Sequence, residues 1–169
     1  MQEWKKNIRQ VVPYVPGEQP KEANVIKLNT NENPYPPSPK VKEQCAKLCA
    51  KNEELRLYPD PTAGILVEAI AKYKGLDSNQ VFVGVGSDDV LAMAFLTFFN
   101  SEKPIFFPDI TYSFYDVWAD LFKIPYDKKP LDENFMIKKD DYYWKNGGVV
   151  FPNPNAPTGV LMPLDEIED

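Results

Sequence analysis

From residue 80 to the end of the chain, short apolar runs alternate with helical patterns, and that alternation is what most limits the folds open to it. Gln80–Gly86, Pro104–Pro108, Lys123–Tyr126 and Gly147–Phe151 read as strands, with Phe135–Ile137 as one more. Helices are expected from Ser87 to about Phe99, from the Asp109–Tyr115 stretch to about Leu121, and from Pro163 onward. Strand–helix alternation predicts an α/β fold with a mainly parallel sheet. In such folds, ligands collect at the carboxyl ends of the strands. Three polar loops are expected there: Gly84–Asp89, Pro108–Tyr115 and Pro152–Gly159.

The preceding half is organised differently. Residues 1–36 lack a clean period, and Pro13, Pro16 and Pro20 favour extended or turn conformations. Trp4, Ile8, Val11 and Val12 are compatible with a short amphipathic helix, and Val25–Leu28 with a short strand. Residues 1–36 therefore read as an N-terminal arm and 37–169 as the first part of a larger domain. Ser38-Pro39 is a helix-start signal, for a helix to about Asn52 with Val41, Cys45, Leu48 and Cys49 inward. A second helix is expected over Ile65–Tyr73, burying Ile65, Ala69, Ile70 and Tyr73 and ending at Gly75. The third helix is apolar all round and is expected to be buried.

Composition removes several functions. The 169 residues carry a formal charge of −6, and their basic residues form no dense patch, which argues against nucleic-acid binding. There is no apolar stretch near the ~18 residues of a membrane span, so a cytoplasmic protein is expected. The sequence has no histidine, which excludes histidine-based triads and general bases. Cys45 and Cys49 are the only cysteines, and they read as structural thiols rather than metal ligands.

The three loops carry the candidate chemistry. Gly84-Val-Gly-Ser-Asp88 places glycines and a serine where a helix begins. The amides there would suit a phosphate; the alternative is a glycine turn with a serine or aspartate cap. Tyr112 could stack on a flat heteroaromatic ligand or belong to the core. Asn153 and Asn155 could hold a ring hydroxyl or brace the proline-rich turn. Together the loops describe a phosphorylated, planar cofactor of the shape of pyridoxal phosphate (PLP).

At family level the chain resembles the histidinol-phosphate aminotransferases, within the aspartate-aminotransferase-like PLP enzymes of fold type I. The motifs that carry this are Pro13–Gly17, Lys27–Tyr35, Leu57–Asp60, Gly84–Asp89, Pro108–Tyr115 and Pro152–Gly159. The resemblance implies the three-layer α/β/α fold with an extended N-terminal arm. It also implies a cofactor phosphate held at Gly86, Ser87 and Asp88, a pyridine ring stacked on Tyr112, and Asn155 on the ring side. Tyr58 would reach the cofactor phosphate of a partner subunit in a homodimer with shared sites. Tyr14, Asn29 and Asn33 would approach the substrate. The implied reaction moves an amino group between L-histidinol phosphate and 2-oxoglutarate in histidine biosynthesis, with the cofactor as electron sink.

The chain departs from the family pattern at Val85, at Asp89 and at Ala156, where the family commonly has the Asn that bonds the cofactor's ring oxygen. In the family, the Schiff-base lysine, the aspartate that pairs with the pyridine nitrogen and the small C-terminal domain all lie beyond residue 169. A truncated chain that does not transaminate alone is therefore expected, with an apolar sheet edge left uncovered. Two other readings are a related PLP enzyme (aromatic aminotransferase or threonine-phosphate decarboxylase-like) and a non-catalytic structural or interaction module.

Overall fold

The computed structural model describes residues 3–8, 10, 12, 17–22, 24–51 and 54–168. By proximity the chain forms two compact units, one of residues 1–14 with 84–169 and one of residues 15–83.

The sheet and the core lie in the first unit. Helix α3 (Ser87–Phe98) precedes strand β1 (Ile105–Pro108), helix α4 (Phe114–Phe122), strand β2 (Tyr126–Lys129), strand β3 (Gly148–Val149) and the short helix α5 (Leu164–Glu168). The strands are parallel in the order β2-β1-β3, as the alternation predicts. Ile105 pairs with Tyr126 on one side and Gly148 on the other. The ladder extends past its ends: Gly147 N–H donates to Pro104 O at 2.8 Å, and Val150 N–H to Phe106 O at 2.9 Å.

All four residues of β1 are buried, as the central strand of a covered parallel sheet requires. Alternation sends its side chains to opposite faces. Ile105 and Phe107 join Phe95, Tyr115, Ala119 and Ile124 in the main core. Phe106 lies on the other face, edge-on to Tyr142 with ring centroids 6.5 Å apart, and carries Lys129 Nζ at 3.9 Å from its centroid. Along α4, Phe114, Trp118 and Phe122 recur every fourth residue and so share one face. Their successive centroids are 5.8 and 5.9 Å apart, and such pairs add roughly 0.5–1.5 kcal/mol each beyond their buried area.

Several expected elements differ. Strand β2 starts three residues later than the pattern suggests. Lys123 takes the left-handed conformation (φ 60°) that closes α4, and Ile124 N–H donates back to Ala119 O at 2.9 Å. Residues 123 and 124 thus belong to the helix end, and Pro125 has no N–H for a ladder. The strand expected at Gln80–Gly86 does not form: Gln80 ends a 3-10 turn, Val81 is extended, and residues 81–86 belong to no strand. Phe135–Ile137 is a turn: Asp132 Oδ1 accepts the N–H groups of Asn134 and Met136, both at 2.8 Å, and Phe135 has φ 61°. Helix α3 is apolar all round but buried on one face only, through Ala92 and Phe95, while Met93, Leu96 and Phe98 are exposed.

In the second unit, α1 (Pro39–Ala50) and α2 (Gly64–Lys74) appear where expected. Gly75 ends α2 at φ 69° with its N–H on Ala71 O. Their expected inward faces are not covered. Val41, Leu48, Cys45 and Cys49 are exposed, so the cysteines are not buried structural thiols. In α2 it is Ala71 that is buried, with Val67 and Ile70 partly so, whereas Ile65 and Tyr73 are exposed. The reason is the same in both helices: an apolar stripe is buried only where a second element packs on it. Val25–Leu28 forms no strand. Near the N-terminus, Glu3–Asn7 is a 3-10 turn, and Val11 lies outside the described residues.

Candidate functional site

Two loops leave the carboxyl edge of the sheet, 109–113 from β1 and 150–163 from β3, and the turn 84–86 enters α3 beside the first. Specific side chains join the three. Tyr112 Oη donates to Asp88 Oδ1 at 2.6 Å, linking the loop after β1 to the first turn of α3. Thr111 Oγ1 donates to Asn155 Oδ1 at 2.8 Å, and Asn155 Nδ2 donates to Ile110 O at 2.9 Å, linking the same loop to the proline-rich one. The three sequence loops therefore do meet.

The turn into α3 directs its backbone amides in different ways. Gly86 has φ +85°, a region that L side chains rarely adopt, and a Cβ there would meet no atom within 4 Å. Its N–H is turned back onto Gly84 O at 2.9 Å, and Val85 N–H is taken by Asp89 Oδ2 at 3.2 Å. The amides of Ser87 and Asp88 are left, since the first turn of a helix offers them no intrahelical acceptor. Amides so placed, at the positive end of the helix dipole, favour a phosphate.

Tyr112 is held from three directions. Besides its hydroxyl bond, its ring stacks on Phe114 (5.6 Å, 28°) and meets the edge of Tyr115 (5.7 Å, 78°). The ring packs against the main core, as the core reading of the sequence expects.

Asn155 is buried, 4% exposed, and its amide is engaged within the protein. Beyond Thr111 and Ile110 it also donates to Thr158 Oγ1 at 3.1 Å. Asn153 braces the other end of the loop, exchanging two bonds of 2.9 Å with the backbone of Met162. Both asparagines thus support the loop, and Ala156 sits beside them half-buried. Thr111 is the residue that sequence reasoning missed. Its only signal was a short hydroxyl side chain next to Tyr112 at a strand end.

The other candidates lie in the second unit or outside the described residues. Tyr58 is fully exposed. The loop after it is ordered by Asp60, which accepts the Thr62 hydroxyl at 2.7 Å and the amides of Thr62 and Gly64. These bonds, led by the hydroxyl, hold the Asp60 carboxyl below its usual range. Asn29 Nδ2 donates to Glu18 O at 2.9 Å, and Asn33 Oδ1 accepts Tyr35 N–H at 2.9 Å. Tyr14 lies outside the described residues.

No lysine takes part in the hydrogen bonds that join the three loops. Among the described residues no group of three or more His, Cys, Asp and Glu is placed to hold a metal, and no helix is long and apolar enough to cross a membrane. A cavity of about 330 Å³ beside β3, lined by Ile137, Tyr142, Phe151 and Met162 among others, includes none of the candidate residues.

Residues 23–169 match the family described as aminotransferase class I and II. The chain is 58% identical over 165 residues to histidinol-phosphate aminotransferase 1 of Methylococcus capsulatus, covering 98% of this chain and 46% of that protein. It is 55% identical over 167 residues to histidinol-phosphate aminotransferase 1 of Hydrogenovibrio crunogenus, with 99% and 46% covered. The chain thus spans just under half the length of these relatives. Among solved structures, a putative histidinol-phosphate aminotransferase from Erwinia carotovora superposes with a TM-score of 0.72 at 22% identity, over 83% of this chain and 41% of that one. At that identity the likeness bears on the fold alone, and it agrees with the α/β architecture seen here.

Proposed function

Because the chain belongs to the class I and II aminotransferases, we propose that the whole protein is a PLP-dependent histidinol-phosphate aminotransferase, moving an amino group between L-histidinol phosphate and 2-oxoglutarate. The observation that carries the cofactor assignment is the junction of two strand-end loops and the turn into α3 by the Asp88–Tyr112 and Thr111–Asn155 bonds. The substrate assignment rests on the identity to relatives that bear this name.

The residues present fit the cofactor. The turn at Gly86 has open space, two unengaged amides follow it, and an aromatic ring stands at the next strand end. PLP, when bound, supplies the electron sink for amino-group chemistry. The chain's own part is to bind and orient. The Ser87 and Asp88 amides take the phosphate, and the Tyr112 ring forms one wall for the pyridine. Asn155 keeps its loop in place from behind. Residues 1–36 act as an arm that brings Tyr14, Asn29 and Asn33 toward substrate. Tyr58 reaches the phosphate in the partner's site of a homodimer, and residues 37–169 form the first part of the large domain.

The test is to assay the whole protein with PLP, histidinol phosphate and 2-oxoglutarate. The expected result is formation of the ketone in which a carbonyl replaces the amine of histidinol phosphate, together with one glutamate for each 2-oxoglutarate consumed. Turnover of aromatic amino acids in preference to histidinol phosphate would support an aromatic aminotransferase instead. Failure to bind PLP would overturn the assignment.

A further inference from the structure

Asp88 does two things that point in different directions. Its amide belongs to the anion-binding turn at the start of α3. Its carboxylate reaches across to the loop after β1 and accepts the Tyr112 hydroxyl at 2.6 Å, the length of a charge-assisted O–H···O⁻ bond. A carboxylate left loose beside a phosphate site would repel the phosphate. Held on Tyr112, it is directed to the aromatic wall instead, and as the second residue of α3 it still gains from the positive end of the helix dipole.

A tyrosine ring packed only by its faces can slide and rotate about its side-chain bonds. Phe114 and Tyr115 limit the ring of Tyr112 at its body, and Asp88 holds the far end. Deepening the proposed function above, and resting on it, we propose that Asp88 is a positioning residue for Tyr112. Its carboxylate fixes the plane of the ring on which the cofactor stacks, in register with the turn that holds the phosphate. One residue thereby sets both the position of the phosphate and the tilt of the ring wall. Neither the Asp88 amide nor the Tyr112 ring alone accounts for the bond between them.

The test is a double-mutant cycle in the whole protein with Asp88→Ala and Tyr112→Phe, read twice: as PLP affinity, and as thermal stability without PLP. Tyr112→Phe keeps the ring and removes only the hydroxyl. Each single change is expected to weaken PLP binding by about tenfold, the scale of one charge-assisted bond. The double variant is expected to be little worse than either single one, because both remove the same bond. Asp88→Asn retains an acceptor oxygen and is expected to stay within about threefold of the unaltered protein. The cycle also cancels any gain in affinity from simply removing a negative charge near the phosphate. Independent, additive losses would overturn the positioning role while leaving the PLP assignment intact. So would a coupling seen in stability but absent from PLP affinity, which would make the bond purely structural. If the unaltered protein does not bind PLP, the assignment and this inference fall together.

Discussion

Single residues here are decided by what their polar atoms meet. Asn155 looks like a ligand-holding side chain in its motif, yet Thr111, Ile110 and Thr158 engage its amide inside the loop. Tyr142 is the opposite case. Its hydroxyl is buried with no hydrogen-bond partner among the described residues. Burial, and then the nearby Asp109 and Asp141 carboxylates, raise its ionisation well above the usual tyrosine range. A raised pKa means that the folded state keeps the proton after the unfolded state has released it. Stability from this group is therefore complete below the ordinary tyrosine pKa of ~10 and falls as pH climbs from there toward the raised value. Tyr142→Phe removes the unpaired hydroxyl and the titration together. It is expected to stabilise the protein by about 1 kcal/mol at neutral pH, and to lessen the loss of stability at alkaline pH. Urea unfolding of both forms across that range checks this; a destabilised variant would show that the hydroxyl has a partner.

At the scale of elements, the positions of helices were legible because their stop signals are local. Gly75 closes α2 in the left-handed conformation, as glycine after a helical pattern predicts. The start of β2 was not legible, because Lys123 adopts that conformation without being glycine and carries the helix end two residues further. The short edge strand β3 depends on a close approach. Gly148 has φ +143°, and a Cβ there would collide with the ring of Phe99. Gly148→Ala combines backbone strain with overpacking. It is expected to cost about 2–4 kcal/mol, seen as a lower midpoint of chemical unfolding. An unchanged midpoint would mean that β3 contributes nothing to the cooperative unit.

For the whole molecule, the site is an agreement among distant parts of the chain: the turn at 84–88, the loop at 109–113 and the loop at 152–159. A ligand that binds there stabilises the folded state by mass action, about 2.7 kcal/mol at a hundredfold excess over its dissociation constant. Added PLP is thus expected to raise the melting temperature and slow amide hydrogen exchange in all three segments together. Protection confined to one segment, or found only elsewhere, would contradict a shared site. The sequence by itself determined the alternation of strands and helices, the parallel sheet, the polar loops and the family motifs. Those properties follow from side-chain periodicity, turn chemistry and the spacing of residues along the chain. Tertiary structure alone decided which apolar faces are buried, where Tyr112 and Asn155 find their partners, and that Asp88 spans two loops. Such facts depend on atoms 24 to 45 residues apart meeting within 3 Å, and no local pattern records which partner a side chain will meet.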